Sequence, residues 1–171
     1  MAKAKLPLPT QLIDEYLELQ EGGILTWKKS PHPRIPVGAL AGRTPKKNHL
    51  QVTIKSKAYG YHRIVYYLAY GIDTIGWEID HINRNPQDNR PENLRLASEA
   101  ENKWNTVKRN KTNVGHRGIR KRFWGANYTF SVSFRHKYVG SYSTLEEAIS
   151  VWEEKARQHA GEFFCPPLGS E

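Results

Sequence analysis

Apolar residues at helical spacing predict two helices in the first half of the chain. They recur every three or four positions in residues 10–19, which favours a short amphipathic helix, and again in residues 62–71, which end in a glycine. Short or alternating apolar runs predict strands at residues 24–29 and around residues 49–55. The proline- and glycine-rich residues 31–45 are expected to form a loop.

The pattern changes at Gly76 to strand, polar loop, short strand and helix. The strands are WEIDHI and NLRLA, and the polar loop between them holds two prolines. Ser98 is suited to the N-cap of the helix, and Glu101 three residues later completes a capping box. Residues 76–106 are therefore expected to form a ββα unit.

Residues 115–165 are expected to form a separate unit. Three short strands are predicted at HRGIRKRFW, NYTFSVSFR and HKYVGSY, and an amphipathic helix follows, beginning after Ser143 or Thr144 and ending at Gly161. In the middle strand apolar and polar residues alternate, as in a half-buried antiparallel sheet. The apolar set is Tyr128, Phe130, Val132 and Phe134, and the polar set is Thr129, Ser131, Ser133 and Arg135. This pattern predicts a three-stranded antiparallel sheet packed on one helix.

Three segments of different character divide the chain. Residues 1–107 are expected to form an N-terminal domain around the ββα unit, and residues 115–165 a second domain. Residues 108–114 between them are polar and basic, which is typical of a linker. The expected fold class is therefore α+β, with two small domains.

The distribution of charge narrows the class of partner. The 171 residues carry 26 Lys and Arg against 17 Asp and Glu, a formal net charge of +9. No acidic residue lies between Glu101 and Glu146, whereas ten basic residues do. Because solvated protein surfaces usually mix both signs, this segment favours nucleic acid or another polyanion as partner over an ordinary basic surface.

Composition also limits location and metal chemistry. No run approaches the roughly 18–20 apolar residues of a membrane-spanning helix, and the opening MAKAKLPLPT lacks the apolar centre of a secretory signal. We therefore expect a cytoplasmic protein, which stays in the cell where it is made and does not bind membranes. Because Cys165 is the single cysteine, the chain cannot form an internal disulfide or a cysteine-based zinc site, and any metal must be held by Asp, His or Asn.

Residues 80–94 hold more hydrogen-bonding side chains than a turn requires. Asp80 could supply an oxygen ligand to a hard divalent cation, and His81 an imidazole that accepts a proton from water near neutral pH. Asn102 on the following helix could return to the same cation through its amide oxygen. Metal-assisted phosphodiester hydrolysis needs these parts. Taken singly, each has a simpler explanation, namely a surface Asp-His pair or a turn rich in side-chain-to-backbone bonds.

The spacing of these residues closely resembles the HNH endonuclease family. Eleven residues separate His81 from Asn93 and eight separate Asn93 from Asn102, as in the phage and intron homing endonucleases whose third motif residue is Asn. The resemblance implies a ββα-metal fold in which Asp80 and Asn102 are metal ligands. It also implies that His81 is the general base, and that Asn93 braces the loop and orients His81. One divalent cation is expected, Mg²⁺ or alternatively Mn²⁺, and no structural zinc.

Two segments of the C-terminal half, HRGIRKRFWG and VGSYSTLEEA, resemble the ethylene-response-factor (APETALA-type) DNA-binding domain. This domain also occurs fused to phage HNH nucleases. The resemblance implies DNA contacts from six residues: Arg117, Arg120, Arg122, Trp124, His136 and Tyr138. The second strand lacks the acidic and basic residues of the plant domain, so its sequence preference does not transfer. The linker cations Lys108, Arg109 and Lys111 are expected to contact phosphates of any sequence.

The sequence therefore predicts a metal-dependent HNH DNA endonuclease of the phage homing type, which nicks or cuts double-stranded DNA as a monomer. One alternative is a non-catalytic DNA-binding regulator with the same two modules, and a more remote one is an RNA-binding protein. All four motif positions hold the expected residue types, which argues against the regulator. A site that no longer cuts DNA would be free to lose Asp80 or His81. His62 and Arg63 match a His-Arg pair common in these phage sequences. Either they share the role of that pair, or they only pack or contact phosphate.

Overall fold

The computed structural model describes residues 7–43, 50–105 and 113–164. Its elements are helices and small antiparallel sheets, which confirms the expected mixture of helices and strands. The chain divides into two compact units, residues 1–102 and residues 103–171, and each has its own hydrophobic core.

Several residues named above lie outside the described part of the chain. They are the three linker cations Lys108, Arg109 and Lys111, together with Cys165. Among the helices that are described, none combines the length and the apolar character needed to cross a lipid bilayer.

The first unit begins with a short helix and a β-hairpin. These elements are α1 (Thr10–Tyr16), β1 (Leu17–Gln20) and β2 (Ile24–Trp27). The helix predicted for residues 10–19 was therefore wrong at its C-terminal end. Leu17 pairs with Trp27 across the hairpin, so it reaches the core from a strand. Strand pairing with residues further along the chain overrides the local helical spacing here.

A second hairpin and the central helix complete the core of this unit. The elements are β3 (Gln51–Ile54), β4 (Lys57–Gly60) and α2 (Tyr61–Tyr70). The predicted strand and helix are confirmed, and α2 ends at Gly71 with a φ of 70°, a left-handed conformation that favours glycine. Ile64 and Val65 of α2 are fully buried, and Ile13 and Leu25 from the preceding elements are fully buried in the same core.

The strand, strand and helix order predicted for residues 76–106 is present. The elements are β5 (Glu78–His81), β6 (Leu94–Ala97) and α3 (Glu99–Trp104). In the antiparallel β5–β6 hairpin, Asp80 lies opposite Arg95. The predicted capping box is also formed: the hydroxyl of Ser98 accepts from the N–H of Glu101 at 3.2 Å, and the Glu101 carboxylate accepts from the N–H of Ser98 at 2.7 Å.

The second unit is a three-stranded antiparallel sheet with one long helix. The elements are β7 (Ile119–Trp124), β8 (Asn127–Phe134), β9 (Lys137–Tyr142) and α4 (Leu145–Ala160), and β8 is the central strand. Thr144 caps α4 in a capping box with Glu147. The buried core is formed by Ile119, Phe130, Val132, Ala148, Trp152 and Ala156.

The alternation predicted for β8 holds only in part. Phe130 and Val132 are buried in the core, whereas Tyr128 at the end of the strand is 47% exposed. Ser131, expected on the polar side, is only 5% exposed. As a residue of the central strand it is flanked by Arg120 on β7 and Ser141 on β9, and such flanking side chains exclude solvent.

Candidate active site

The β5–β6 hairpin carries Asp80 and His81 at the C-terminal end of β5. Both are buried, with 5% and 7% of their surface exposed. Because neighbouring residues of a strand point to opposite faces, the two side chains leave β5 on different sides and meet different partners. The site therefore has an acidic side around Asp80 and an imidazole side around His81.

On the acidic side, Asp80 forms a buried ion pair with Arg95. Nε and Nη2 of Arg95 each donate to Oδ2 of Asp80 at 2.9 Å. The side chains are only 6% and 14% exposed, so the removal of one partner would leave a charge with little solvent to stabilise it. The pair follows from the hairpin register, because Arg95 is the residue opposite Asp80 on β6. Arg95 thus holds the carboxylate in one orientation.

Glu78 and Asn102 form the second contact on this side. Glu78 lies two residues before Asp80, so both carboxylates point to the same face of β5. Nδ2 of Asn102 in α3 donates a hydrogen bond to the Glu78 carboxylate. The set formed by Glu78, Asp80 and Arg95 carries two formal negative charges and one positive charge, so the formal net charge of these three residues is −1. No group of three or more His, Cys, Asp or Glu side chains that could hold a metal ion occurs within the described ranges.

On the imidazole side, His81 contacts Asn89 and His62. Nε2 of His81 lies 3.2 Å from Oδ1 of Asn89, and both residues are buried. The ring of His62, in the first turn of α2, packs at a steep angle against the ring of His81, with centroids 5.5 Å apart. Loop and helix together therefore fix the ring of His81. This ring contact shows that His62 packs against His81, and a contact of His62 with phosphate stays a prediction.

Asn93 braces the loop between the two strands with both ends of its amide. Its Oδ1 accepts from the N–H of Asn83 at 3.0 Å, and its Nδ2 donates to Oδ1 of Asn83 at 3.0 Å and to the carbonyl of Asp88 at 2.7 Å. Its own carbonyl accepts from the N–H of Ile82 at 2.9 Å. The amide oxygen that lies 3.2 Å from Nε2 of His81 belongs to Asn89, four residues earlier, and not to Asn93.

The other polar residues of this loop stabilise turns. Asn85 accepts through its side chain from the N–H of Gln87 at 3.1 Å, and Asp88 accepts from Arg90 and Asn83. The hydrogen bonds from the Arg90 side chain, together with the bonds from the Arg90 N–H and from Asn83, hold the pKa of Asp88 at about 2. Much of the polar density that suggested chemistry in this segment is therefore explained by loop structure.

With this geometry in place, the comparison with known families gives one finding. Residues 59–103 match the family model of the HNH endonucleases. The match covers 45 of the 171 residues and includes Asp80, His81, Asn93 and Asn102, so it supports a nuclease that acts on DNA. Neither a search of curated proteins nor a search of solved structures finds a match. The C-terminal resemblance receives no support from these comparisons and stays a prediction.

We call residues 59–103, which match the family model, the HNH segment. Three of its residues were not singled out by the sequence: Glu78, Asn89 and Arg95. Each acts on a motif residue through a side-chain hydrogen bond. Arg95 could have been found from the hairpin register once both strands were predicted, and Glu78 from the alternation of β5. Nothing in the spacing distinguishes Asn89 from Asn83 or Asn85, because its contact depends on the path of the loop.

The sheet of the second unit has a basic face, formed by side chains of alternate residues. We call it the polar face, and it comprises Arg120, Arg122, Trp124, Ser131, Ser133 and Tyr138. Arg120 lies opposite Ser131, and Arg122 follows on the same side of β7. Trp124 and Tyr138 are 65% and 67% exposed, which is unusual for aromatic side chains. Four of the six residues expected to contact DNA therefore share one surface.

Arg117 and His136 are placed differently from these four residues. The Arg117 guanidinium lies over the ring of Trp104, 4.8 Å from its centroid, and 6.0 Å from the centroid of Trp152. His136 is exposed in the turn between β8 and β9. A pocket of about 420 Å³ is lined by both, and by Arg120, Arg122 and Arg135 among others. Arg117 therefore combines a packing contact with a position beside the polar face.

Proposed function

We propose that the chain is a metal-dependent DNA endonuclease of the phage homing type, which nicks or cuts double-stranded DNA by phosphodiester hydrolysis. The observation that carries this proposal is the environment of His81. A buried imidazole at the end of β5, held through Nε2 by Asn89, stands beside Asp80 within the segment that matches the HNH family. An ordinary surface Asp-His pair would not be buried and held in this way.

His81 is proposed to act as the general base. It would take a proton from the attacking water, because an imidazole exchanges protons near neutral pH and here has a fixed orientation. Asn93 would act indirectly, by closing the loop that leads from His81 to β6. The orientation of the His81 ring matters because a general base must lie within about 3 Å of the group whose proton it removes.

The residues of the acidic side fit a divalent cation. Asp80 and Asn102 would hold it through a carboxylate and an amide oxygen, which are the ligands that Mg²⁺ and Mn²⁺ prefer. Glu78 adds a second carboxylate, and the two carboxylates together outweigh the charge of Arg95, so this set remains attractive to a cation. When bound, the cation would offset the negative charge that builds on the phosphate and the leaving oxygen.

The polar face of the second unit is proposed to bind double-stranded DNA. Arg120 and Arg122 point from one side of a strand, and guanidinium groups in this arrangement can reach base edges and phosphates in the major groove. Trp124 and Tyr138 add exposed aromatic surface, and no acidic residue interrupts the sequence from 102 to 145. Lys108, Arg109 and Lys111 would add contacts to phosphates, and a monomer with one site would nick one strand.

The proposal is tested with supercoiled plasmids that carry a library of random inserts, so that an unknown target site is represented. The purified protein is incubated with the library in Mg²⁺, in Mn²⁺ and in chelator. We expect nicked or linear plasmids with either metal and none with chelator. Binding to DNA without a cut under all three conditions would instead favour the non-catalytic DNA-binding regulator.

A further inference from the structure

The loop between β5 and β6 holds the imidazole of His81 through a residue that the HNH motif does not include. We propose that Asn89 is a positioning residue, which keeps the hydrogen of the neutral His81 ring on Nε2 and thereby makes Nδ1 the atom that takes the proton. This inference rests on the proposed function for its catalytic meaning. Its structural part, the location of one hydrogen, does not depend on nuclease activity.

The orientation of the Asn89 amide follows from its two contacts. Nδ2 donates to the carbonyl of Gln87 at 3.2 Å, which fixes the nitrogen end of the amide. The oxygen end, Oδ1, therefore faces Nε2 of His81 at 3.2 Å. An amide oxygen can only accept, so the hydrogen in this bond must belong to Nε2. Because a neutral imidazole carries one hydrogen, the lone pair is left on Nδ1.

Asn93 is unsuited to this role, although the resemblance assigned the orientation of His81 to it. Both ends of its amide are engaged with the backbone and side chain of Asn83 and the backbone of Asp88. The two tasks are thus divided between two asparagines. Asn93 closes the loop, and Asn89, carried on that loop, contacts the ring.

His62 limits the alternatives for the imidazole side. Consider a base and an acid that act on opposite sides of one phosphorus atom. The nitrogen of each lies about 3 Å beyond the attacking or the leaving oxygen, so the two nitrogens are separated by more than roughly 6 Å. The ring centroids of His62 and His81 are only 5.5 Å apart, so His62 stands beside the proposed base rather than across a phosphorus atom from it. It packs against the ring whose tautomer Asn89 sets.

Burial increases the importance of the hydrogen bond that Oδ1 of Asn89 accepts from His81. Asn89 and His81 are 5% and 7% exposed, so water has little access to replace a lost acceptor at Nε2. After His81 takes a proton, the same oxygen still accepts from Nε2 and stabilises the charged ring. Loss of the acceptor should therefore slow the chemical step without a comparable change in binding of metal or DNA.

The first test locates the hydrogen directly, by NMR of protein labelled with ¹⁵N-histidine at a pH where the ring is neutral. His81→Ala identifies the signals of His81 by their absence. We expect the Nε2–H form in essentially all wild-type and Asn89→Asp rings, because both side chains offer an oxygen. Asn89→Leu should show a mixture of the two tautomers. A mixture or the Nδ1–H form in the wild type would overturn the assignment, and so would an unchanged ring in Asn89→Leu.

The second test measures plasmid cleavage by the same variants. Asn89→Leu should lower the maximal rate by about 10- to 100-fold, with the Mg²⁺ concentration for half-maximal rate and the DNA dissociation constant unchanged within twofold. Asn89→Asp should stay within a few-fold of the wild type. Asn85→Leu is the matched control, because it removes a hydrogen bond to the N–H of Gln87 in the same loop. Equal losses in Asn85→Leu and Asn89→Leu would reduce Asn89 to a general loop residue and overturn the proposal.

The two tests separate the possible failures. If the wild type cuts no plasmid but the tautomer follows Asn89, the proposed function fails and the positioning role of Asn89 stands. If the wild type cuts and the tautomer ignores Asn89, the proposed function stands and this inference fails.

Discussion

Gly23, in the turn of the N-terminal hairpin, lies directly against the backbone of Asn89. A Cβ added to Gly23 would be 2.6 Å from the carbonyl carbon of Asn89 and 2.8 Å from the backbone nitrogen of Arg90, both too short for real contacts. The loop that carries Asn89 is therefore supported from outside the HNH segment. The N-terminal hairpin, which shows no chemistry of its own, takes part in the position of His81 through this contact.

Gly23→Ala should accordingly move the Asn89 loop, whereas Gly22→Ala should not. Both glycines have a positive φ, 75° and 77°, so the backbone strain is matched, but nothing lies within 4 Å of a Cβ at Gly22. We expect Gly23→Ala to lower the free energy of unfolding by about 1–3 kcal/mol more than Gly22→Ala, because of overpacking, and to lose most plasmid cleavage. Urea unfolding and cleavage rates check this. Equal effects of the two variants would refute the support role of Gly23.

Asn93→Ala should lose stability and activity together. The variant removes three hydrogen bonds of a buried side chain, which should lower the free energy of unfolding by about 2–3 kcal/mol. Cleavage should fall because the loop no longer holds Asn89 beside His81. Thermal unfolding and plasmid assays of the same preparation give both values. A loss of cleavage with unchanged thermal unfolding would point to a direct chemical role for Asn93.

Arg117 and the arginines of the polar face should respond differently to replacement by alanine. Arg117→Ala removes a cation from the rings of Trp104 and Trp152, so it should lower the free energy of unfolding by about 1 kcal/mol. Arg120→Ala and Arg122→Ala should leave stability nearly unchanged and each reduce the preference for a selected DNA sequence by about 1–3 kcal/mol. Unfolding curves and competition binding separate the classes. A loss of stability in Arg120→Ala and Arg122→Ala, with a loss of sequence preference in Arg117→Ala, would contradict the assignment of DNA binding to the polar face.

The ionised carboxylate of Asp88 should contribute to folding stability, and this contribution should be lost at acidic pH. The folded pKa of Asp88 is about 2, below its ordinary value of 3.8, with Arg90 as the main cause. A depressed pKa means that the contribution is present above about pH 4 and is lost as the pH falls through about 2. Asp88→Asn should therefore be less stable than the wild type at pH 5, and the difference should shrink towards pH 2. A difference that stays constant between pH 5 and pH 2 would contradict this pKa.

Where local pattern and final structure agree, the determinants are close in sequence. Helix α2 follows from its apolar spacing and Gly71, and α4 from the capping residue Thr144. The end of α1 could not be predicted in this way. Leu17 continues the helical spacing, but its partner in the hairpin is Trp27, ten residues away, and that pairing decides its conformation.

In the candidate site, too, contacts that depend on distant parts of the chain could not be predicted from the sequence. The motif residues could be recognised by their spacing. Arg95 could have been predicted from the register of the β5–β6 hairpin, which places it opposite Asp80. Asn89 was not, because the segment from Asn83 to Asn93 offers four asparagines of similar local context. Which of them meets His81 is decided by the turns of the loop and by its packing against Gly23.

The central claim, that His81 performs the chemistry of a nuclease, is tested most directly by the cleavage rate of His81→Ala on the plasmid library in Mg²⁺. DNA affinity and thermal unfolding of the same variant serve as controls. We predict a rate lower by about two to four orders of magnitude, with DNA affinity close to the wild type and the variant still folded at the assay temperature. A variant that keeps more than a tenth of the wild-type rate would contradict the account.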